Sequence, residues 1–131
     1  MEVNLPINDK NWTPLHLACK LNHEEIVYML LISNGDITIN THKERNVIHF
    51  AAQSTPAIMS MIMIRLFKYM NKLEIINQRD EFGDTPLHFA ASMFAKSYIW
   101  DLLTQNGADP EIKNMSGRTP NDIASQNSLI S

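Results

Sequence analysis

Apolar residues recur along this chain in two alternating patterns. One is a short cluster that opens on a Thr-Pro or Asn-apolar pair, as in Thr13-Pro14-Leu15-His16-Leu17-Ala18 and Thr85-Pro86-Leu87-His88-Phe89-Ala90. The threonine caps free backbone N–H groups and the proline suits the first helical position, so each cluster predicts a helix start. About two turns follow, too few to be stable alone. The other pattern is longer and has helical spacing, with Ile26, Val27, Leu30 and Leu31 as its first example. Asn22 supplies a residue tolerant of positive φ between the two helices. Asn34-Gly35 stops the second helix, and Asn106-Gly107 stops its counterpart. Turn residues such as Asp80 and Gly83, or Asn114 and Gly117, fill the stretch before the next start.

The unit repeats. Alignment on the residue two after the histidine gives His16-Leu17-Ala18, His49-Phe50-Ala51, His88-Phe89-Ala90 and Asp122-Ile123-Ala124, at spacings of 33, 39 and 34. Alanines at 18, 51, 52, 90, 91 and 124 leave room for a neighbouring helix to approach. A helix–turn–helix with a turn, recurring at about 33 residues and carrying Thr-Pro-Leu-His, resembles the ankyrin repeat. The resemblance covers essentially the whole chain. It implies an all-α solenoid of stacked helix-turn-helix units with β-hairpin fingers projecting at right angles. Residues 1–131 form a single domain on this reading, with repeats at about 8–40, 41–79 and 80–113 and a partial one at 114–131.

Copy two departs most from the pattern. Asn46-Val47 stands where Thr-Pro is usual, Glu44 replaces the turn glycine, and six extra residues precede the next Thr-Pro. The extra length predicts a long second helix from about Pro56 to Asn71, apolar on nearly every side. It is either a central helix buried by both neighbours, with methionines filling gaps, or an exposed Met-rich strip on the convex side.

Length allows one domain with a sizeable core. A formal net charge of −3 and a pI near 5.9 argue against a general nucleic-acid binder. The single cysteine, Cys19, excludes an intrachain disulfide and fits a reducing compartment. The amino terminus lacks a basic start followed by an apolar run, and the most apolar stretch is too short to span a bilayer. A cytoplasmic setting is expected, with a nuclear one open. The terminal faces carry Tyr28 and Met29 at one end and Ile123, Leu129 and Ile130 at the other. These ends are tolerated, belong to a longer protein, or promote weak self-association of an otherwise monomeric chain.

Candidate chemistry is sparse. Histidines at 16, 49 and 88 are in register, but stacked helices lie about 8–10 Å apart and a zinc–nitrogen bond is about 2 Å, so equivalent rings cannot share an ion. The resemblance makes them structural, each bonding the backbone of a neighbouring finger. Cys19 aligns with Ala52 and Ala91 and is expected to be a packed thiol. Arg65, Lys68 and Lys72 form a small basic cluster, read as a solvated helix face. No catalytic, cofactor or metal site is expected.

The resemblance implies a protein partner gripped by fingers and first helices. The corresponding positions are Asp9, Lys10 and Trp12, then His42, Lys43 and Arg45, then Glu81, Phe82 and Asp84, then Met115, Ser116 and Arg118 in the fingers. Lys20, Leu21, Gln53, Ser54, Ser92 and Met93 are added by the first helices. Trp12, Phe82 and Met93 are expected as an apolar centre, edged by Arg45 and Arg118. Two alternatives stand beside this module reading. The long second repeat is similar to those of Rel-family transcription-factor inhibitors, although those carry more repeats, and the array could be the targeting arm of a larger enzyme.

Overall fold

A computed structural model describes residues 2–94 and 96–130, apart from the side chains of Phe94, Ser128, Leu129 and Ile130. The described residues contain helices α1 (Pro14–Lys20), α2 (Glu24–Ile32), α3 (Val47–Ala51), α4 (Pro56–Leu66), α5 (Lys72–Ile76), α6 (Pro86–Phe94), α7 (Tyr98–Gln105) and α8 (Pro120–Ile130). No strand occurs among them. The helices sort into two layers. Helices α1, α3, α6 and α8 pack in succession as one layer, and α2, α4 and α7 pack in succession as the other. Each pair α1–α2, α3–α4 and α6–α7 also packs across the layers, so this is a solenoid of antiparallel helix pairs.

Local chemistry sets the boundaries. Asn46 caps α3 by accepting from the Ile48 N–H at 2.9 Å, and Thr55 caps α4 by accepting from Ile58 at 3.2 Å. Pro14 and Pro56 take the first helical position, where no N–H is needed. Asn22 turns the chain between α1 and α2 at φ 60°. The two Asn-Gly stops differ. After α7, Gly107 itself adopts a left-handed conformation at φ 103°. After α2, Asn34 takes that role at φ 70°, and Gly35 is needed for space, because a Cβ there would lie 2.8 Å from the Leu30 carbonyl oxygen.

Fully buried side chains from both layers make the core, among them Leu15, Ile48, Ile58, Met59, Ile62, Leu66, Leu87 and Leu103. Alanines at 51, 52, 90 and 91 are fully buried in the first layer, where their size allows close approach of α3 and α6. Cys19 is equally buried beside them, and desolvation pushes its thiol up to about 12, leaving it a neutral packing group.

The expected long helix in the second repeat is corrected. Helix α4 ends at Leu66, residues 67–71 wind as turns closed by Lys68 N–H to Arg65 and Tyr69 N–H to Leu66, and α5 follows. Sixteen helical residues would run about 24 Å in a straight line and overshoot the stack. The break instead returns the chain, so that Ile75 and Ile76 are buried. Side chains hold it on both sides. Arg65 donates to the Leu31 carbonyl and the Tyr69 hydroxyl to Asp36 Oδ1, while Leu73 lies over Gly107. Both readings of this segment hold in part. Ile58, Met59, Ile62, Met63 and Leu66 are buried, while Ile64, Phe67 and Met70 are exposed. The basic cluster is likewise divided, with Arg65 in α4, Lys68 in the turn and Lys72 opening α5. Tyr28 and Met29, expected on an end face, lie instead beside Ala57 and Met61 of α4, and the expected apolar contribution of Leu129 and Ile130 to the carboxyl-terminal end lies outside the described residues' side chains.

Candidate functional site

Each finger is a tight turn built by one polar residue. Asn8, Asp80 and Asn114 each accept two backbone N–H bonds from residues two and four positions on, at 2.9 to 3.1 Å, and the Thr41 hydroxyl accepts one from Arg45 at 3.4 Å. Three residues further on, the chain takes a left-handed conformation at Asn11, Glu44, Gly83 and Gly117. Glycine adopts it without cost and glutamate does not, so Glu44 is held there by its surroundings.

Successive fingers are joined through the backbone. His42 N–H donates to Lys10, Glu81 N–H to Lys43, and Met115 N–H to Phe82, at 2.9 to 3.0 Å. An ion pair adds to this between the second and third. Arg45 Nε donates to Asp80 Oδ2 at 2.9 Å, and its guanidinium lies 5.0 Å from the centre of the Phe89 ring. The Asp80 carboxylate is entirely buried.

The histidines tie helices to fingers. His16, His49 and His88 accept a backbone N–H at Nδ1 from Thr13, Asn46 and Thr85, at 2.9 to 3.1 Å. Each Nε2–H therefore donates outward, to the carbonyls of Ile39, Asp84 and Arg118 respectively, all at 3.0 Å. Burial brings the pKa of His16 and of His49 down to about 4, so both rings are neutral at physiological pH. In the last repeat Asp122 stands in the histidine position and turns back on its own helix. It accepts from the Thr119 N–H at 3.0 Å, and the Thr119 bonds hold its carboxyl below the usual range.

Between fingers and first helices runs a concave face with Phe50, Phe89 and Ile123 on its floor. The sequence comparison did not single out Phe50, Phe89 or Ile123 as site residues. For Phe50 and Phe89 the signal was present, because a residue flanked by a buried histidine and a buried alanine must face the other side of a helix; Ile123 holds the same place in the last repeat, where Asp122 replaces the histidine. Two hollows form there. The first is lined by Lys10, Trp12, His42, Lys43 and Arg45 over Phe50. Gln53, Asp84, Ser92, Ser116 and Arg118 surround the second, with Phe89 and Ile123 at its base.

The remaining expected contact residues lie outside these hollows. Asp9, Lys20, Leu21, Glu81, Phe82, Met93 and Met115 are exposed on fingers or helix ends. Ser54 is buried, its hydroxyl donating to Ala51. Trp12 is half-buried, edge-on to Phe50 with ring centres 4.7 Å apart, and the Lys20 ammonium sits 5.9 Å from its centre. Arg45 is committed to Asp80, whereas Arg118 donates to Gln126 on the surface.

The family described as "Ankyrin repeats (3 copies)" matches residues 1–63, and "Ankyrin repeat" matches residues 82–115. The chain belongs to the ankyrin-repeat family and is a protein-interaction module. Among its relatives is a Transcription factor MBP1 of Kluyveromyces lactis, 37% identical over 92 residues, covering 63% of this chain and 12% of the relative. A Transient receptor potential cation channel subfamily A member 1 homolog of Caenorhabditis elegans is 28% identical over 93% of this chain and 10% of its own length. The Oxysterol-binding protein-related protein 1 of Mus musculus is 29% identical over 86% of this chain and 18% of its own. The chain thus spans less than a fifth of the length of these relatives. No helix of the described residues is long and apolar enough to cross a membrane.

Proposed function

We propose that the chain binds a protein partner through the concave face, with the two hollows over Phe50 and over Phe89 and Ile123 as its centre. The observation that supports this most is the contrast between scaffold and surface. Finger backbones are fixed by bonds from one finger to the next, while Lys43, Phe82 and Met115 project from them, and Gln53 from the end of α3, into solvent. A rigid frame presenting free polar and apolar side chains binds without a large ordering cost. Mixed lining favours an extended peptide or loop, with basic side chains at the first hollow and polar ones at the second.

Lys43→Glu with Phe82→Ala alters two exposed side chains and no scaffold bond. Affinity capture from the native source, with wild type and this double variant side by side, is the test. Capture of the partner should fall at least about tenfold, with the helical circular dichroism unchanged. Equal capture by the two proteins would remove the concave face from the reading.

The small share of each relative that the chain matches favours a second reading, in which the array is the interaction arm of a larger protein. Comparison with the Rel inhibitors gains no such support, because the extra residues of the second repeat brace its neighbours through Tyr69 and Leu73.

A further inference from the structure

The convex face carries a feature that neither the stack nor the concave site uses. On α2, Tyr28, Met29 and Ile32 are 57%, 61% and 63% exposed, and on α4 Ile64 is 69% exposed. Together with Met61 they line two adjoining hollows between the helices. The solvent side of a surface helix is ordinarily polar, and a contiguous apolar patch marks an interaction site. Val27, Leu31, Ile58 and Ile62 already fill the inward side of the same helices.

Charge gives this groove a direction. Its first hollow is walled by Glu24 and Glu25, at the amino end of α2. Its second is walled by Arg65 and Lys68, at the carboxyl end of α4. Acids and bases in those places each suit the helix dipole. The result is an apolar strip that is negative at one end and positive at the other. Such a strip is complementary to itself after a half-turn about an axis perpendicular to the helices. An anionic lipid surface would meet the two glutamates, and a uniformly charged partner helix would satisfy one end and oppose the other.

We infer that the groove between α2 and α4 docks a second copy of this chain in an antiparallel, two-fold dimer. Glu25 of each copy faces Lys68 of the other, and Tyr28, Met29, Ile32 and Ile64 pack across the axis. Two helices offer a contact at the small end of stable interfaces, which bury about 800 Å² per partner, so the dimer forms in a concentration-dependent way. Both concave faces remain open in it, which makes the assembly bivalent and raises its avidity for a repeated partner.

Sedimentation velocity of the full chain, from about 1 µM to about 1 mM, reads this directly. The weight-average mass should rise with concentration toward twice the monomer. Ile64→Glu should hold it at the monomer, and Glu25→Lys or Lys68→Glu should each weaken association at least about tenfold. Mixing those two charge variants in equal amounts puts an opposite pair at both ends, so the mixture should associate as tightly as wild type. All three substitutions are at exposed positions, and unchanged circular dichroism confirms their folding. A wild-type mass fixed at the monomer overturns the inference, whatever else then binds the groove. So does association that survives Ile64→Glu, which would place the contact at an end of the array, or a mixture no tighter than its components. Concave-face capture by Ile64→Glu separates this outcome from the fate of the proposed function.

Discussion

His49 bonds in two directions, and the bond at Nδ1 requires an uncharged ring. Nδ1 must keep its lone pair to accept from Asn46, and Nε2–H must point at the Asp84 carbonyl. A second proton would set Nδ1–H against the Asn46 N–H inside the stack. Burial therefore lowers the pKa of His49, and that of His16, from 6.5 to about 4. The unfolded chain takes up protons near pH 6.5 and the folded chain does not until near 4. Stability from these rings is thus complete above pH 6.5 and is lost as pH falls toward 4. Each ring should remove about 2 kcal/mol between pH 7 and pH 5. Urea midpoints at the two pH values measure it, and a midpoint indifferent to acidification would contradict the neutral, doubly bonded rings.

Fingers are elements without regular strands, so their order comes from side chains as much as from backbone bonds. Asp80 illustrates how closely these are coupled. Its Oδ1 builds its own finger through Phe82 and Asp84, and its Oδ2 takes the Arg45 guanidinium from the previous one. Removing the arginine leaves a buried carboxylate with one oxygen unpaired, which costs more than the pair itself contributes. Arg45→Ala should destabilise the fold by about 2–4 kcal/mol, and the loss should shrink when Asp80→Asn is added, as a double-mutant cycle on denaturant midpoints would record. Full additivity would mean that the pair is not coupled. Arg45, picked from the sequence as a contact at the edge of a binding surface, therefore also has a part in the scaffold.

At the scale of the whole molecule, the main helix packing among the described residues runs from each repeat to the next, so the second repeat is the junction of the array. Helix α4 packs on α2 to one side and α7 to the other, and α3 does the same between α1 and α6. Ile62 lies fully buried at this junction. Ile62→Ala should cost about 2–5 kcal/mol. Because a one-dimensional stack unfolds cooperatively only while its interfaces are strong, the variant should also show a broader urea transition with a lower slope. A sharp transition shifted without change of slope would indicate that the outer repeats do not depend on this junction. The same linear arrangement separates the two faces, one concave and rich in polar fingers, the other convex and apolar between α2 and α4.

The outward bonds of the histidines, to carbonyls 23 to 35 positions away, were implied only by the family resemblance. Repeat length, helix order, the capping residues and prolines and the packing of Cys19 in a small-residue slot were legible in the chain, because each follows from a local pattern that recurs along it. The register of the small and apolar positions carried that information. Three matters required the folded stack. Periodicity could not reveal that the apolar run after Pro56 breaks at Leu66, since the break is enforced by Asp36 and Leu31 on another repeat. It could not separate contact residues from scaffold ones, as Arg45 is distinguished only by Asp80, a residue 35 positions away. Nor could it show that glutamates opening α2 and basic residues closing α4 share one apolar groove. Burial and charge proximity are properties of surfaces brought together across the chain, and only packing creates them.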